Sequence, residues 1–173
     1  MAVDSTFALI KPEAVSAGLV GEIIGRFERA GLRLLELRLL IPSRGLAEQH
    51  YGEEIERKYG RQVREWLLDY VIEGPVVALV LSGPDAVRTA RSVAGEAACP
   101  TQCAPGSIRA DLGTDTRECA MAAGRALRNL IHTSDSPDAA RRETALWFGG
   151  KAPESQPRLI AQAASTDPDP AHG

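Results

Sequence analysis

Apolar positions along the chain change their period several times, and each change marks an element. "STFALIK" (5–11) is a β-rich run that Pro12 stops, which predicts a first strand. Val20, Ile23, Ile24 and Phe27 then recur at three- and four-residue spacing, predicting an amphipathic helix that Gly31 ends. "LRLLELRLL" (32–40) reads as a second strand, although its alternation is imperfect and the pattern alone leaves a helix open. Pro42 and Gly45 break it. Residues 46–73 are helical in character, with Val63, Trp66, Leu67 and Tyr70 along one face. "GPVVALVL" (74–81) is the clearest strand, a turn signal followed by a continuous β-branched run. "PDAVRTARSVAG" (84–95) predicts a helix with Pro84 near its start and Gly95 after its end.

Residues 95–118 hold Pro100, Pro105, Gly106 and Gly113 with little periodicity, so they read as a long loop of the kind that often carries function. Residues 119–128 are compatible with a helix, and "NLIH" (129–132) with a last strand. Ser136-Pro137-Asp138 opens a helix that runs to Trp147: a hydroxyl cap, proline in the first turn, then an acid. Two β-α-β halves in this order predict an α+β fold, a ferredoxin-like antiparallel sheet with helices on one face. From Gly149 onward Pro, Ala, Ser, Gln and Asp dominate, so residues 1–149 are expected to form the domain and 150–173 a disordered tail.

Composition narrows the classes without choosing one. A chain of 173 residues is one domain with room for a sizeable core. Aromatics are only 5%, which leaves the core to Leu, Val, Ile and Ala. A net charge of −3 argues against a protein that coats nucleic acid. Cys99, Cys103 and Cys119 are an odd count and read as reduced thiols rather than a disulfide framework. The N-terminus has no signal-peptide pattern, and no apolar run approaches the ~18 residues of a membrane span, so the chain is expected in the cytoplasm.

The chemistry-bearing residues are dispersed. There is no P-loop, and "GLVGEIIG" lacks dinucleotide-binding spacing. His50 and His172 show no metal-ligand spacing to His132, and no protein metal site is expected. His132, Ser134 and Asp135 lie too close in sequence for a hydrolase triad. What remains is Lys11 at a strand end, Arg91 on a helix, Arg109 in "PGSIR" and His132 at another strand end. Cations converging on one point would bind phosphate, and a neutral imidazole beside them could attack phosphorus. Periodicity does not show whether they converge.

Read together, six blocks resemble the nucleoside diphosphate kinase family: "TFALIKPEAV", "GLVGEIIGRFERAGLRLLELRLL", "EQHYGE", "GPVVALVLSGPDAVRTAR", "PGSIRAD" and "RNLIHTSDSPDAARRETALWF". "NLIHTSDS" matches that family's signature, N-x-x-H-[GA]-S-D, around its catalytic histidine. The resemblance implies that His132 accepts the γ-phosphoryl of a nucleoside triphosphate, ATP with Mg²⁺, and passes it to a nucleoside diphosphate in a ping-pong cycle. It assigns Lys11 to the phosphates and Tyr51 to support of the lysine and histidine. Arg91 and Arg109 would hold the β- and γ-phosphates, and Asn129 would contact sugar and phosphate. Ser134 and Glu143 would stand behind the imidazole. A homo-oligomer, tetramer or hexamer, is implied in the same way.

Four positions depart from the pattern. Ala97 stands where the family usually has a phosphate-touching Thr, and Thr133 replaces a small residue after the histidine. The base-stacking aromatic is either Tyr59 or replaced by Val63, and the stretch between Arg109 and Asn129 (110–128) is longer than usual. These departures give the rival expectation, a degenerate nucleotide-binding or regulatory module of the same fold with little turnover.

Overall fold

The structure, a computed structural model, describes residues 4–149, so the expected tail at 150–173 lies outside the described residues. In chain order the elements are β1 (Asp4–Ile10), α1 (Pro12–Ser16), α2 (Val20–Arg29), β2 (Arg33–Leu40), α3 (Arg44–His50), α4 (Glu53–Tyr59) and α5 (Arg61–Ile72). Next come β3 (Val76–Gly83), α6 (Ala86–Ala94), α7 (Ile108–Leu112), α8 (Arg117–Ala122), β4 (Ile131–Thr133) and α9 (Pro137–Phe148). The four strands form one sheet in the order β2-β3-β1-β4. Every neighbouring pair is antiparallel, which is the expected ferredoxin-like arrangement.

β1 and β3 pair along their full length, from Asp4 opposite Gly83 to Ile10 opposite Val77. Their residues alternate between two cores. Ala8, Ile10, Val77, Leu79 and Leu81 face α2 and α6, meeting Ile23, Phe27, Ala90 and Ala94. Phe7, Leu9, Val76 and Ala78 face the other way, toward Ala47, Leu68, Val71 and Trp147 of α3, α5 and α9. The expectation of helices on one face is therefore extended: the ferredoxin-like pair α2/α6 covers one face, and α3, α5 and α9 cover the other. The reason lies in β3, buried at all eight positions; a strand apolar on both sides needs cover on both sides.

Several boundaries differ from expectation for identifiable reasons. The 95–118 loop contains a 3₁₀ turn at Pro100–Gln102 and all of α7. The predicted helix at 119–128 is only α8, which ends before Gly124 in the left-handed region (φ 61°). Both helices are held at their starts by side chains, Ser107 Oγ accepting from Ala110 N–H and Thr116 Oγ1 from Cys119 N–H. Helices of one to two turns are too short to show an apolar period. α6 begins after Asp85 rather than at Pro84, and α5 buries Leu68, Tyr70 and Val71 instead of a stripe through Val63 and Trp66.

α9 carries the last turn of the core, and Ser136 starts it by accepting from Ala139 N–H ahead of Pro137. Ser136→Ala should lower unfolding free energy by about 1 kcal/mol through loss of that cap. Phe27→Ala, which empties the α2-side core, should cost about 3–5 kcal/mol. Chemical denaturation of the two variants checks the ordering.

Candidate active site

The antiparallel register of β1 with β4 sets Leu9 opposite His132 and delivers Lys11 just past the strand end. Lys11 N–H bonds to Leu130 O at 2.9 Å, so the two segments leave the sheet together. Leu130 has φ +68°, a region that side chains avoid, and Ile131 N–H closes back onto Asn129 O at 2.8 Å. Glu13 holds this three-residue turn: its Oε1 accepts from Leu130 N–H at 2.6 Å and also from the Tyr70 hydroxyl. The turn brings Asn129 beside Lys11, whose Nζ donates to Asn129 Oδ1 at 2.6 Å. The Asn129 amide nitrogen donates to Ala98 O at 3.0 Å, tying the 95–99 loop to the same point.

His132 and Glu143 meet across β4 and α9. His132 Nε2 lies 3.1 Å from Glu143 Oε2, and Ser134 Oγ donates to the same oxygen at 2.5 Å. Glu143 is buried, which by itself would raise its carboxyl. The facing His132 imidazole and the bonds from His132 and Ser134 outweigh burial and hold it below the usual carboxylate range. His132 stays a quarter exposed, with 24% of its side chain open to solvent, so it can be reached from outside.

Arg109 is buried among backbone carbonyls rather than standing free. Nη1 donates to Gly95 O (2.6 Å) and Ala97 O (3.0 Å), Nη2 to Ile131 O (2.5 Å) and Nε to Asn129 O (3.3 Å). Of the five N–H groups on a guanidinium, these bonds leave one to offer outward. Gly95 has φ +100°, and a Cβ there would sit 2.7 Å from Cys103 Sγ, so the loop over Arg109 closes only on glycine. Cys103 Sγ also donates to Ala97 O at 3.2 Å. Arg91, on the last turn of α6, is near enough for its charge to press down on the Arg109 pKa after the larger effect of burial.

The remaining expected residues are less uniformly grouped. The Tyr51 hydroxyl is buried with no hydrogen-bond partner among the described residues, and burial pushes it well up. Tyr59 is 54% exposed at the end of α4, with Lys58 Nζ 5.0 Å over its ring, whereas Val63 is half-buried in α5. Lys58 is drawn up first by Tyr59 and also by Asp135, which places this helix end near the start of α9.

Three participants escape the sequence. Glu13 and Tyr70 brace the turn before the histidine, and Tyr70 also lies 4.9 Å under Lys11 Nζ. His50 packs directly on His132, with ring centroids 4.6 Å apart. "KPE" and "HY" contained two of these residues, but nothing in their spacing pointed at residues 130–132. His50, His132 and Glu143 present donor atoms within 4.8 Å of one another, a grouping with the residue types of a metal cluster. However, Trp147 Nε1–H donates to His50 Nδ1 at 3.3 Å, so that lone pair is taken and the neutral ring carries its proton on Nε2.

Comparison with known proteins identifies what the chain is similar to. A sequence model described as nucleoside diphosphate kinase matches residues 4–152. A nucleoside diphosphate kinase of Archaeoglobus fulgidus is 41% identical over 145 residues, 84% of this chain and 86% of that one. One of Frankia alni is 43% identical over 150 residues, 87% and 98% of the two chains. The chain also superposes on a transition-state mimic of the Borrelia burgdorferi enzyme with bound vanadate and ADP. The TM-score is 0.81 at 31% identity, covering 84% of this chain and 87% of that one.

The Lys11 amine gives the site a measurable pH signature. Burial pushes it down to about 7, with Glu13 opposing and Arg109 adding to the fall. The unfolded chain keeps a lysine pKa of about 10.4, so between these values it holds a proton that the folded chain lacks. Stability therefore rises with pH across that window. The melting temperature of the wild type minus that of Lys11→Met should climb by several degrees from about pH 7 to about pH 10. A flat difference would show that Lys11 keeps its ordinary protonation.

Proposed function

The chain belongs to the nucleoside diphosphate kinase family and is a nucleotide phosphotransferase, and we propose that His132 is the group that carries the phosphoryl. The observation that supports this most is the His132–Glu143 contact through Nε2. It directs the other ring nitrogen, Nδ1, to attack. The Nδ1 lone pair forms the P–N bond while the bond from phosphorus to the β-phosphate oxygen breaks, releasing nucleoside diphosphate. The ring acquires positive charge as it does so, and an ionised Glu143 at Nε2 neutralises it. A second nucleoside diphosphate then attacks phosphorus with a terminal oxygen, the P–N bond breaks, and the imidazole is restored.

The cations supply the remaining electrostatics. Burial pushes the Lys11 amine down, and arriving phosphates favour its charged form. Arg91 and the free edge of Arg109 neutralise charge as the group moves, Asn129 holds Lys11, and the unpartnered Tyr51 hydroxyl is available to the phosphates. Asn129 also reaches the sugar, and Tyr59 is the exposed aromatic available to the base. A divalent ion, Mg²⁺, enters with the nucleotide as part of the substrate. Glu13 uses Oε1 to hold Tyr70 and Leu130, and Glu143 uses Oε2 to hold His132 and Ser134, so the bonds they make brace the site.

The degenerate-module alternative is not favoured, since relatives that carry the kinase name match over more than four-fifths of this chain. ATP and nucleoside diphosphates are the partners on this reading, without nucleic acid or membrane. Among the described residues no helix is long and apolar enough to cross a membrane. A cytoplasmic location and a homo-oligomer, tetramer or hexamer, belong to the same proposal. Leu37, Leu39 and Ile41, exposed along and just beyond the edge strand β2, are consistent with a covered edge.

Incubation with γ-labelled Mg-ATP should place an acid-labile, base-stable label on His132, and added nucleoside diphosphate should remove it. His132→Ala should fold yet take no label, and Arg109→Ala should slow transfer sharply. If folded wild type binds ATP and His132 stays unlabelled, the assignment of the phosphoryl carrier fails.

Ala97 generates a separate prediction. Ala97→Thr should tighten nucleotide binding by about 0.5–1.5 kcal/mol, the worth of one hydrogen bond. Calorimetric titration with ADP checks it, and unchanged affinity would mean that residue 97 does not face the phosphates.

A further inference from the structure

We propose that His50 is a positioning residue for His132: a neutral imidazole that walls the nucleophile's ring and leaves the Glu143 carboxylate to His132 alone. The inference rests on the reading of His132 as phosphoryl carrier. His50 ends α3 and is only 3% exposed. Its ring is boxed by four aromatic groups. It meets His132 nearly at right angles (83°), Tyr51 with centroids 4.6 Å apart, Trp147 at 5.5 Å and Phe7 at 6.0 Å.

Two constraints keep His50 uncharged. The indole N–H of Trp147 only donates, so His50 Nδ1 must present a lone pair to it at 3.3 Å. An imidazolium would set N–H against N–H and lose that bond. The Nε2 atom is buried with no partner among the described residues, so nothing there rewards a cation. The charged and titratable groups around the ring are His132, Glu143, Lys11, Arg142 and the Tyr51 phenol, which burial keeps neutral. Burial acts first against the charged form, the three basic groups add to it, and only Glu143 opposes.

Two imidazoles lie within reach of one carboxylate, their donor atoms and its oxygen within 4.8 Å of one another. A carboxylate pairs with whichever ring is positive. With His50 held neutral, Glu143 answers the charge that develops on His132 during attack. The perpendicular wall also resists rotation of the His132 ring about its Cβ–Cγ bond, a rotation that would carry Nε2 away from Glu143. Positioning of this kind acts on the turnover step and leaves nucleotide binding alone.

Three variants test it: His50→Ala, His50→Phe and Trp147→Phe. His50→Ala should lower kcat about tenfold or more, with KM for ATP within about twofold. Nitrogen NMR of its imidazoles should show His132 losing the single Nε2–H tautomer. His50→Phe restores a neutral ring and should recover most of the rate and the tautomer. Trp147→Phe frees His50 to take a proton, so activity should fall off at higher pH on the acid side than in wild type. That shift should vanish when His50→Phe is added, which a merely structural role would not produce. Wild-type kcat and tautomer in His50→Ala would overturn the proposal. So would a folded His50→Phe as impaired as His50→Ala. If His50→Ala does not fold, the acid-limb shift and its cancellation decide. The His132 tautomer is read without ATP, so a failure of His50 positioning is distinguishable from a His132 that never accepts phosphate.

Discussion

A carboxylate removed from water must be given its hydrogen bonds and counter-charge by the protein, or it will neutralise itself. Glu143 is such a group, and much of the chain's architecture supplies its partners. α9 brings it in on the second turn, one face of that helix being fixed by Trp147 in the core. β4 brings Ser134 and His132 from the other side, and β4 is only three residues long. So short a strand has little ladder of its own; its place depends on pairing with the buried end of β1. The sheet centre, the Ser136 cap and the Trp147 anchor thus converge on a carboxylate oxygen with two donors. The imidazole is oriented as a by-product of satisfying that oxygen.

The cationic side of the site is built on the opposite logic. Lys11 and Arg109 are buried before any phosphate arrives, which is costly for both unless polar groups meet them. Arg109 is met by four carbonyls from two separate segments, and this joins the 95–97 loop to residues 129 and 131. Lys11 is met by one amide oxygen and an aromatic face, so burial tells on it more. The two residues therefore divide the work. Arg109 holds the loops in register, while Lys11, with fewer polar partners, is the one whose amine burial pushes down to about 7.

Most of the fold was legible because its long elements carry clean periods. "GPVVALVL" could only be a buried strand, and Ser136-Pro137-Asp138 only a helix start. The second layer of helices was implicit in the two-sided burial of β3, but the helices at 44–72 show no single apolar stripe that says which sheet face they cover. Residues 100–122 were opaque for another reason. Their turns are fixed by isolated side-chain contacts, such as Ser107 Oγ with Ala110 N–H and the paired bonds from Arg125 to Asp115, which leave no repeat to read. The named site residues were legible only through the signature and its neighbouring blocks. Glu13, Tyr70 and His50 were not, because each acts through a residue about 57 to 117 positions away or through a ring it touches.

The backward turn at Leu130 shows how these parts depend on one another. A leucine at φ +68° is strained, and strain persists only where the surroundings over-determine it. Here both backbone groups of Leu130 are taken, its N–H by Glu13 and its carbonyl by Lys11 N–H. Its side chain is buried in the α2-side core. Relaxing the turn would cost all three at once. What the strain achieves is a change of direction within one residue. Asn129 ends beside Lys11 and the 95–99 loop, while Ile131 is already in the sheet, and His132 comes next on the face toward Phe7 and His50. An ordinary extended strand would send residues 129 and 131 to one face and 130 and 132 to the other, in plain alternation along a straight line. The bend turns Asn129 toward Lys11 and Ala98, while His132 keeps its place in the sheet beside Glu143 and His50. The brace from Glu13 is what fixes that change of direction, although it is reached from another part of the chain.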